Sequence, residues 1–147
     1  MIVEDSKTKA IAIRECVIQA LGKCEPQTTD TIAIAGQLIE QQLWNGIVLD
    51  LAFHKTQQTA DMVDRPYLAG IEILQQLNEM RISCPVVIAT QHGSFVNTKY
   101  GNFDSADQLG DRLRRVFRRN YRGIVEVDLG ETRWRDQLIG LMREHFI

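Results

Sequence analysis

Gly46-Ile47-Val48-Leu49-Asp50-Leu51 is the stretch whose reading decides the fold. A short apolar run without polar alternation reads as a strand buried on both faces, the kind found in parallel sheets. Asn45-Gly46 supplies the turn that feeds it. Asp50 stands near its end, and an ionised carboxylate is seldom buried without a partner. The Asp is therefore expected at the mouth of the strand. In open α/β sheets ligands gather just outside the carboxyl ends of the strands, which makes Asp50 the first residue to test for chemistry.

Working outward, the same kind of segment recurs. Met1-Ile2-Val3 stops at Glu4-Asp5-Ser6, an acidic pair at a strand end. Cys24 to Thr29 is a weaker strand, and Pro26 favours an edge position for it. Cys84-Pro85-Val86-Val87-Ile88-Ala89-Thr90 ends on a hydroxyl, and Gly123-Ile124-Val125-Glu126-Val127 is the last strand. Helices fall between them. The first is capped by Asp5 or Ser6, carries Ala10, Ile13, Val17 and Leu21 at helical spacing, and closes at Gly22. The second is capped by Asp30 or Thr31, buries Ala35, Leu38, Ile39 and Leu43, and ends near Trp44. A third opens at Gly70 with Ile71, Leu74 and Leu77. A fourth, capped by Asp104 or Ser105, carries Leu109, Leu113, Val116 and Phe117. The last places Trp134, Leu138, Leu141 and Met142 inward. The stretches 52–69 and 91–103 read as polar loops, and a loop as long as the first is usually functional or mobile.

Five strands alternating with five helices imply right-handed crossovers and a parallel sheet covered on both faces. The simplest solution is a flavodoxin-like, doubly wound α/β sheet of order 2-1-3-4-5, with its crevice between strands one and three. That order brings Glu4, Asp5 and Asp50 to one place. The 147 residues suit one domain. A net charge of −2 gives no bulk attraction to nucleic acid or membrane. No apolar run is long enough to span a bilayer, and no export leader precedes the first strand. The odd cysteine set (Cys16, Cys24, Cys84), without CxxC spacing, points to a reducing cytoplasm rather than a disulfide framework or zinc knuckle.

Three carboxylates meeting at strand ends repel one another unless a cation is present, and oxygen ligands of this kind suit Mg²⁺. An Asp beside such a cation, with the Thr90 hydroxyl on the next strand, can act as a nucleophile toward a phosphoryl donor. At these residues the chain resembles the receiver domains of two-component response regulators. The resemblance rests on Ile2-Val3-Glu4-Asp5-Ser6, Ile47-Val48-Leu49-Asp50-Leu51, Gly70-Ile71-Glu72-Ile73-Leu74 and Pro85-Val86-Val87-Ile88-Ala89-Thr90, in that order. It implies that Glu4 and Asp5, with Asp50, hold Mg²⁺, that Asp50 accepts a phosphoryl group from a histidine kinase or phosphotransfer protein, and that Thr90 senses it. It implies a regulatory domain rather than an enzyme.

The chain also departs from that pattern. The family places a Lys at the end of strand five, where this sequence has Glu126-Val127-Asp128, and no Lys follows Lys99. Gln91 follows the Thr where the family has a small residue, and Asp50 to Gly70 spans 20 positions, longer than the family's spacing. A phosphorylation-independent module that works by protein contact is the alternative. A small metal-dependent phosphohydrolase is a further one, although the second Asp that haloacid-dehalogenase-like enzymes need is replaced by Ala52. His54, His92, Lys55 and Lys99 stand in the loops near the mouth, as candidates for a metal, a base or the missing cation.

Helix four concentrates Arg112, Arg114, Arg115, Arg118 and Arg119, five arginines within eight positions, with Arg122 just beyond. Arg suits bidentate contacts with carboxylates and phosphates. Asp107 and Asp111 offer partners at helical spacing to Arg115. Arg112, Arg115, Arg118 and Arg119 are the candidate contacts to an acidic protein or to a second copy, on the face from helix four to helix five.

Overall fold

A computed structural model describes residues 1–22, 24–51, 68–91 and 101–147, with the backbone of 95–98. The elements run β1 (Ile2–Val3), α1 (Lys7–Leu21), β2 (Thr28–Thr29), α2 (Ile32–Gln41), β3 (Ile47–Leu49), α3 (Ile71–Glu79), β4 (Val86–Thr90), β5 (Phe95–Thr98), β6 (Gly101–Phe103), α4 (Ala106–Val116), β7 (Tyr121–Glu126) and α5 (Arg133–His145). Five strands form one parallel sheet of order β2-β1-β3-β4-β7. This is the expected 2-1-3-4-5 arrangement once the extra pair is set aside. That pair, β5 and β6, is an antiparallel ribbon within the stretch read from sequence as a loop. Gly101 opens β6 at φ 114°.

The strands obey their period of two on both faces. Val3, Ile47, Leu49, Val86 and Ile88 enter a core shared with α2, α3 and α4. Ile2, Val48, Val87 and Ala89 enter a second core shared with α1 and α5. Continuous apolar strands follow from this, since neither face meets water.

The helix starts match the expected chemistry. Ser6, Thr31 and Ser105 accept from the backbone N–H groups of Lys9, Ile34 and Gln108, satisfying donors that a helix start leaves orphaned. Gly22 takes φ 73° at the end of α1, a conformation that costs glycine little.

Several buried positions differ from the expectation. The inner stripe of α1 is Lys9, Ala12, Ile13, Cys16 and Val17, with Ala10 only half-buried. α2 stops at Gln41, so Leu43 lies beyond its last turn and is 91% exposed. Val116, at the last turn of α4, is exposed as well.

At the amino end of the sheet the buried Asn120 side chain donates to the carbonyls of Ile82 (2.6 Å) and Cys84 (2.9 Å). The backbone carbonyl of Asn120 accepts from Val86 N–H at 2.8 Å. Asn120→Ala strands two acceptors and is expected to cost about 1–3 kcal/mol, read as a lower urea midpoint at unchanged slope.

Among the described residues, no helix is long and apolar enough to cross a membrane.

Candidate functional site

The site follows from two periods. In β1 and β3, Ile2 and Val48 face α1, so Glu4 and Asp50, each two positions further on, leave the sheet on the same side. On α1, Lys9 lies one turn before Ala12 and Ile13 and so faces the sheet. The lysine ammonium meets both carboxylates, with Nζ 2.9 Å from Glu4 Oε2 and 3.1 Å from Asp50 Oδ1. Glu4, Asp50 and Lys9 are 3%, 5% and 1% exposed, so this ion triad is shielded from solvent.

Glu4 is held at its other oxygen, where Oε1 accepts from Ser6 N–H at 3.1 Å. The carboxyl group thereby extends the cap of α1 beyond Ser6. Burial raises the Glu4 carboxyl to about 7, the Lys9 charge works to lower it, and the Asp50 charge works to raise it. Asp5 is half-buried and contributes the third carboxylate of the cluster. The three residues offer oxygens that lie within 4.8 Å of one another.

Asp50 is fixed by its backbone as well as its charge. Its N–H donates to Val3 carbonyl at 3.0 Å. Gly70, which opens α3, packs directly on the Asp50 and Leu51 backbone: a Cβ there would collide with the Asp50 carbonyl oxygen and sit 2.9 Å from Leu51 Cα. Glycine is required for this close approach rather than for an unusual φ, since Gly70 has φ −59°.

Thr90 ends β4 fully buried, opposite Glu126 in the β4–β7 register. Glu126 is exposed, and the next residue, Val127, is buried and donates its N–H to Thr90 carbonyl at 2.7 Å. Asp128 Oδ1 accepts from Gly130 N–H at 2.9 Å and shapes the turn into α5. This strand end carries a valine flanked by two carboxylates. Among the described residues, the lysine that reaches the acidic cluster is Lys9 of α1.

Sequence reading brought Glu4, Asp5 and Asp50 together, as the structure does, and put Thr90 at the end of its strand, but missed Lys9 and the close packing of Gly70. A signal for Lys9 was available: it stands three and four positions before Ala12 and Ile13, a spacing that puts it on the sheet-facing stripe. His54, His92, Lys55 and Lys99 lie outside the described residues, as does most of the 52–69 stretch.

α4 stops at Val116, so of the arginines expected on helix four Arg118 and Arg119 lie in the turn after it; the whole set divides into two groups. Arg114 pairs with Asp111 at 3.2 Å and lies over the Tyr121 ring at 5.5 Å, so Asp111 is engaged one position short of Arg115. Arg122 donates to the carbonyls of Arg118, Arg119 and Tyr121 and so closes the turn after α4. Arg112, Arg115, Arg118 and Arg119 are exposed.

Comparison with known proteins bears on the fold. No protein-family model matches the sequence, and no curated protein does. Solved structures do match. The signal receiver domain of a protein described as a Luxo repressor from Vibrio parahaemolyticus aligns with TM-score 0.64 and 22% identity, over 99% of this chain and 86% of its own. The N-terminal domain of a response regulator/sensory box/GGDEF three-domain protein from Carboxydothermus hydrogenoformans aligns with TM-score 0.64 and 15% identity, over 99% and 90%. The Mn²⁺-bound form of response regulator Rcp1 aligns with TM-score 0.61 and 17% identity, over 96% and 88%. The chain has the fold of response-regulator receiver domains, with a buried acidic cluster at the mouth of its sheet.

Proposed function

We propose that this chain is a cytoplasmic, receiver-type signalling domain that works as a phosphorylation-independent protein-interaction module. The observation that carries this reading is the charge arrangement at the mouth. An internal ammonium already pairs with both Glu4 and Asp50, while Glu126 stands across from Thr90. A phosphoryl group added to Asp50 would bring further negative charge to a mouth that already holds the Glu4 and Asp5 carboxyl groups.

The Mg²⁺ expected from Glu4, Asp5 and Asp50 does not fit this arrangement. Mg²⁺ needs oxygen at about 2.0–2.1 Å in near-octahedral geometry. Here Lys9 Nζ lies against one oxygen of Glu4 and one of Asp50, at 2.9 and 3.1 Å, and crowds an ion that would bridge the two groups. The partner face we assign is the exposed set Arg112, Arg115, Arg118 and Arg119, which suits an acidic protein surface or a second copy of the chain.

A second reading retains Asp50 as a phosphoryl acceptor, with Thr90 as the sensing group and a histidine kinase or phosphotransfer protein as donor. It is favoured by the meeting of three carboxylates within 4.8 Å, beside the buried end of β4. Amide resonances followed during addition of beryllofluoride, a phosphoryl mimic, together with Mg²⁺ separate the two readings. No displacement at Asp50 and Thr90 is expected. Displacement in wild type that Asp50→Asn abolishes would establish the second reading. Turnover of a generic phosphate ester, lost in Asp50→Asn, would instead mark a phosphohydrolase.

A further inference from the structure

We infer that Lys9 is the resident cation of the acidic mouth, a fixed ammonium that takes the place of a diffusible divalent ion and makes this end of the domain indifferent to divalent metal. The inference deepens the reading of the site given above and rests on it.

The position of Lys9 is unfavourable for a cation on local grounds. It is the third residue of α1, within the turn where the helix dipole and exposed N–H groups favour anions. A lysine near a helix start ordinarily carries its amino group out to water along a flexible stem. Lys7 and Thr8, on the same turn, are exposed in that way. Lys9 instead turns inward and is 1% exposed. Burying an ammonium carries a large desolvation cost unless close, well-directed anions offset it. The Glu4 and Asp50 oxygens, at 2.9 and 3.1 Å, are those anions.

The converse holds for the carboxylates. Glu4 and Asp50 enter from neighbouring strands of the same sheet and would repel each other across the mouth. A divalent ion could bridge them, and so can one ammonium with its three donors. The two solutions exclude each other. An ion bonded to both carboxylates would lie against Nζ and be repelled by it at short range, where that repulsion is strong. Entry of the ion requires Lys9 to leave an enclosed position between α1 and the sheet. The lysine is part of the chain, so its effective concentration at the site does not depend on the surrounding ion pool.

A titration with Mn²⁺ alone tests this in the intact chain. Bound Mn²⁺ is read by its electron paramagnetic resonance and by broadening of the amide signals of Glu4 and Asp50. Wild type is expected to show no site-specific broadening at millimolar Mn²⁺. Lys9→Ala, which leaves the carboxylates and opens space, is expected to bind at the mouth about tenfold or more tightly than wild type. In a sample with ¹⁵N-labelled lysine, the wild-type Lys9 ammonium signal is expected to persist unchanged when Mg²⁺ is added. That arm needs no variant to fold.

Site-specific Mn²⁺ binding by wild type, or displacement of the Lys9 signal by Mg²⁺, would overturn the inference. So would a folded Lys9→Ala that binds no better than wild type. These results leave the interaction-module reading standing, because that reading fails on action of the phosphoryl mimic or on turnover of a phosphate ester, neither of which the Mn²⁺ titration reads.

Discussion

Lys9→Met is expected to destabilise the domain by about 3–5 kcal/mol near pH 8, the range for breaking a buried ion pair from one side. Methionine keeps the length and most of the volume of lysine, so little of this loss is packing. What remains is the Glu4 and Asp50 carboxylates facing each other across the mouth without the ammonium between them.

The pH dependence identifies the cause. The Glu4 carboxyl is raised from 4.5 to about 7 in the folded protein, so folding favours its protonated form. Stability from this group is fully present below about pH 4.5 and is lost as pH rises through about 7, a change of about 3 kcal/mol in wild type. Without Lys9, the attraction that lowers the Glu4 value is gone, and the group is driven further toward the protonated form. The deficit of Lys9→Met should therefore be largest in mild alkali and narrow toward about pH 5, where Glu4 is neutral in both proteins. Urea midpoints at the two pH values, with the slope unchanged, measure it. A deficit under about 1 kcal/mol near pH 8 would mean that Lys9 is a solvated surface residue, as most surface pairs contribute no more than this.

Gly70→Ala is the second large effect, expected to cost about 3 kcal/mol or more. Added methylenes in a packed region usually cost about 1–3 kcal/mol because neighbouring side chains can shift. Here the nearest neighbours are the carbonyl of Asp50 and the Cα of Leu51, which belong to the strand end itself. The Gly70 N–H also donates to Leu51 carbonyl at 3.0 Å, so α3 cannot back away without breaking that bond. The substitution should push Asp50 away from Lys9. The amide signals of Asp50 and the Lys9 ammonium signal should move together, while those around Asn120, at the other end of the sheet, stay in place. A variant as stable as wild type would show that α3 is free to slide.

The sheet was legible because each strand declares itself twice. Ile47-Val48-Leu49 and Val86-Val87-Ile88-Ala89 are apolar on both parities, and strands buried on both faces must be. The carboxylates were legible because an Asp or Glu at the end of such a strand has few explanations. Lys9 was harder to see. Helical periodicity was anchored on Ala10, an apolar residue one position along, and a lysine at a helix start is ordinarily read as solvated. Only the pairing of β1 with β3 shows two carboxylates on the side of the sheet that Lys9 faces. That is a tertiary fact, with no short-range signature. The β5–β6 ribbon escaped for a different reason: two strands of four and three residues carry too few positions for a period of two to stand out. In α2, Leu43 continued the apolar spacing, but backbone geometry ended the helix at Gln41.

Asn120 and Lys9 fasten opposite ends of the same sheet with different chemistry. The amide of Asn120 is neutral and holds two carbonyls at the amino end. Proton concentration near neutrality leaves that bond unchanged. The mouth is fastened by charges, one of which is raised to about 7. The sheet therefore behaves as a clasp with a permanent hinge at one end and a proton-responsive catch at the other. Partial opening in mild alkali begins at the mouth and runs toward Asn120, so amides of β1 and β3 nearest Asp50 exchange with solvent before those beside Cys84.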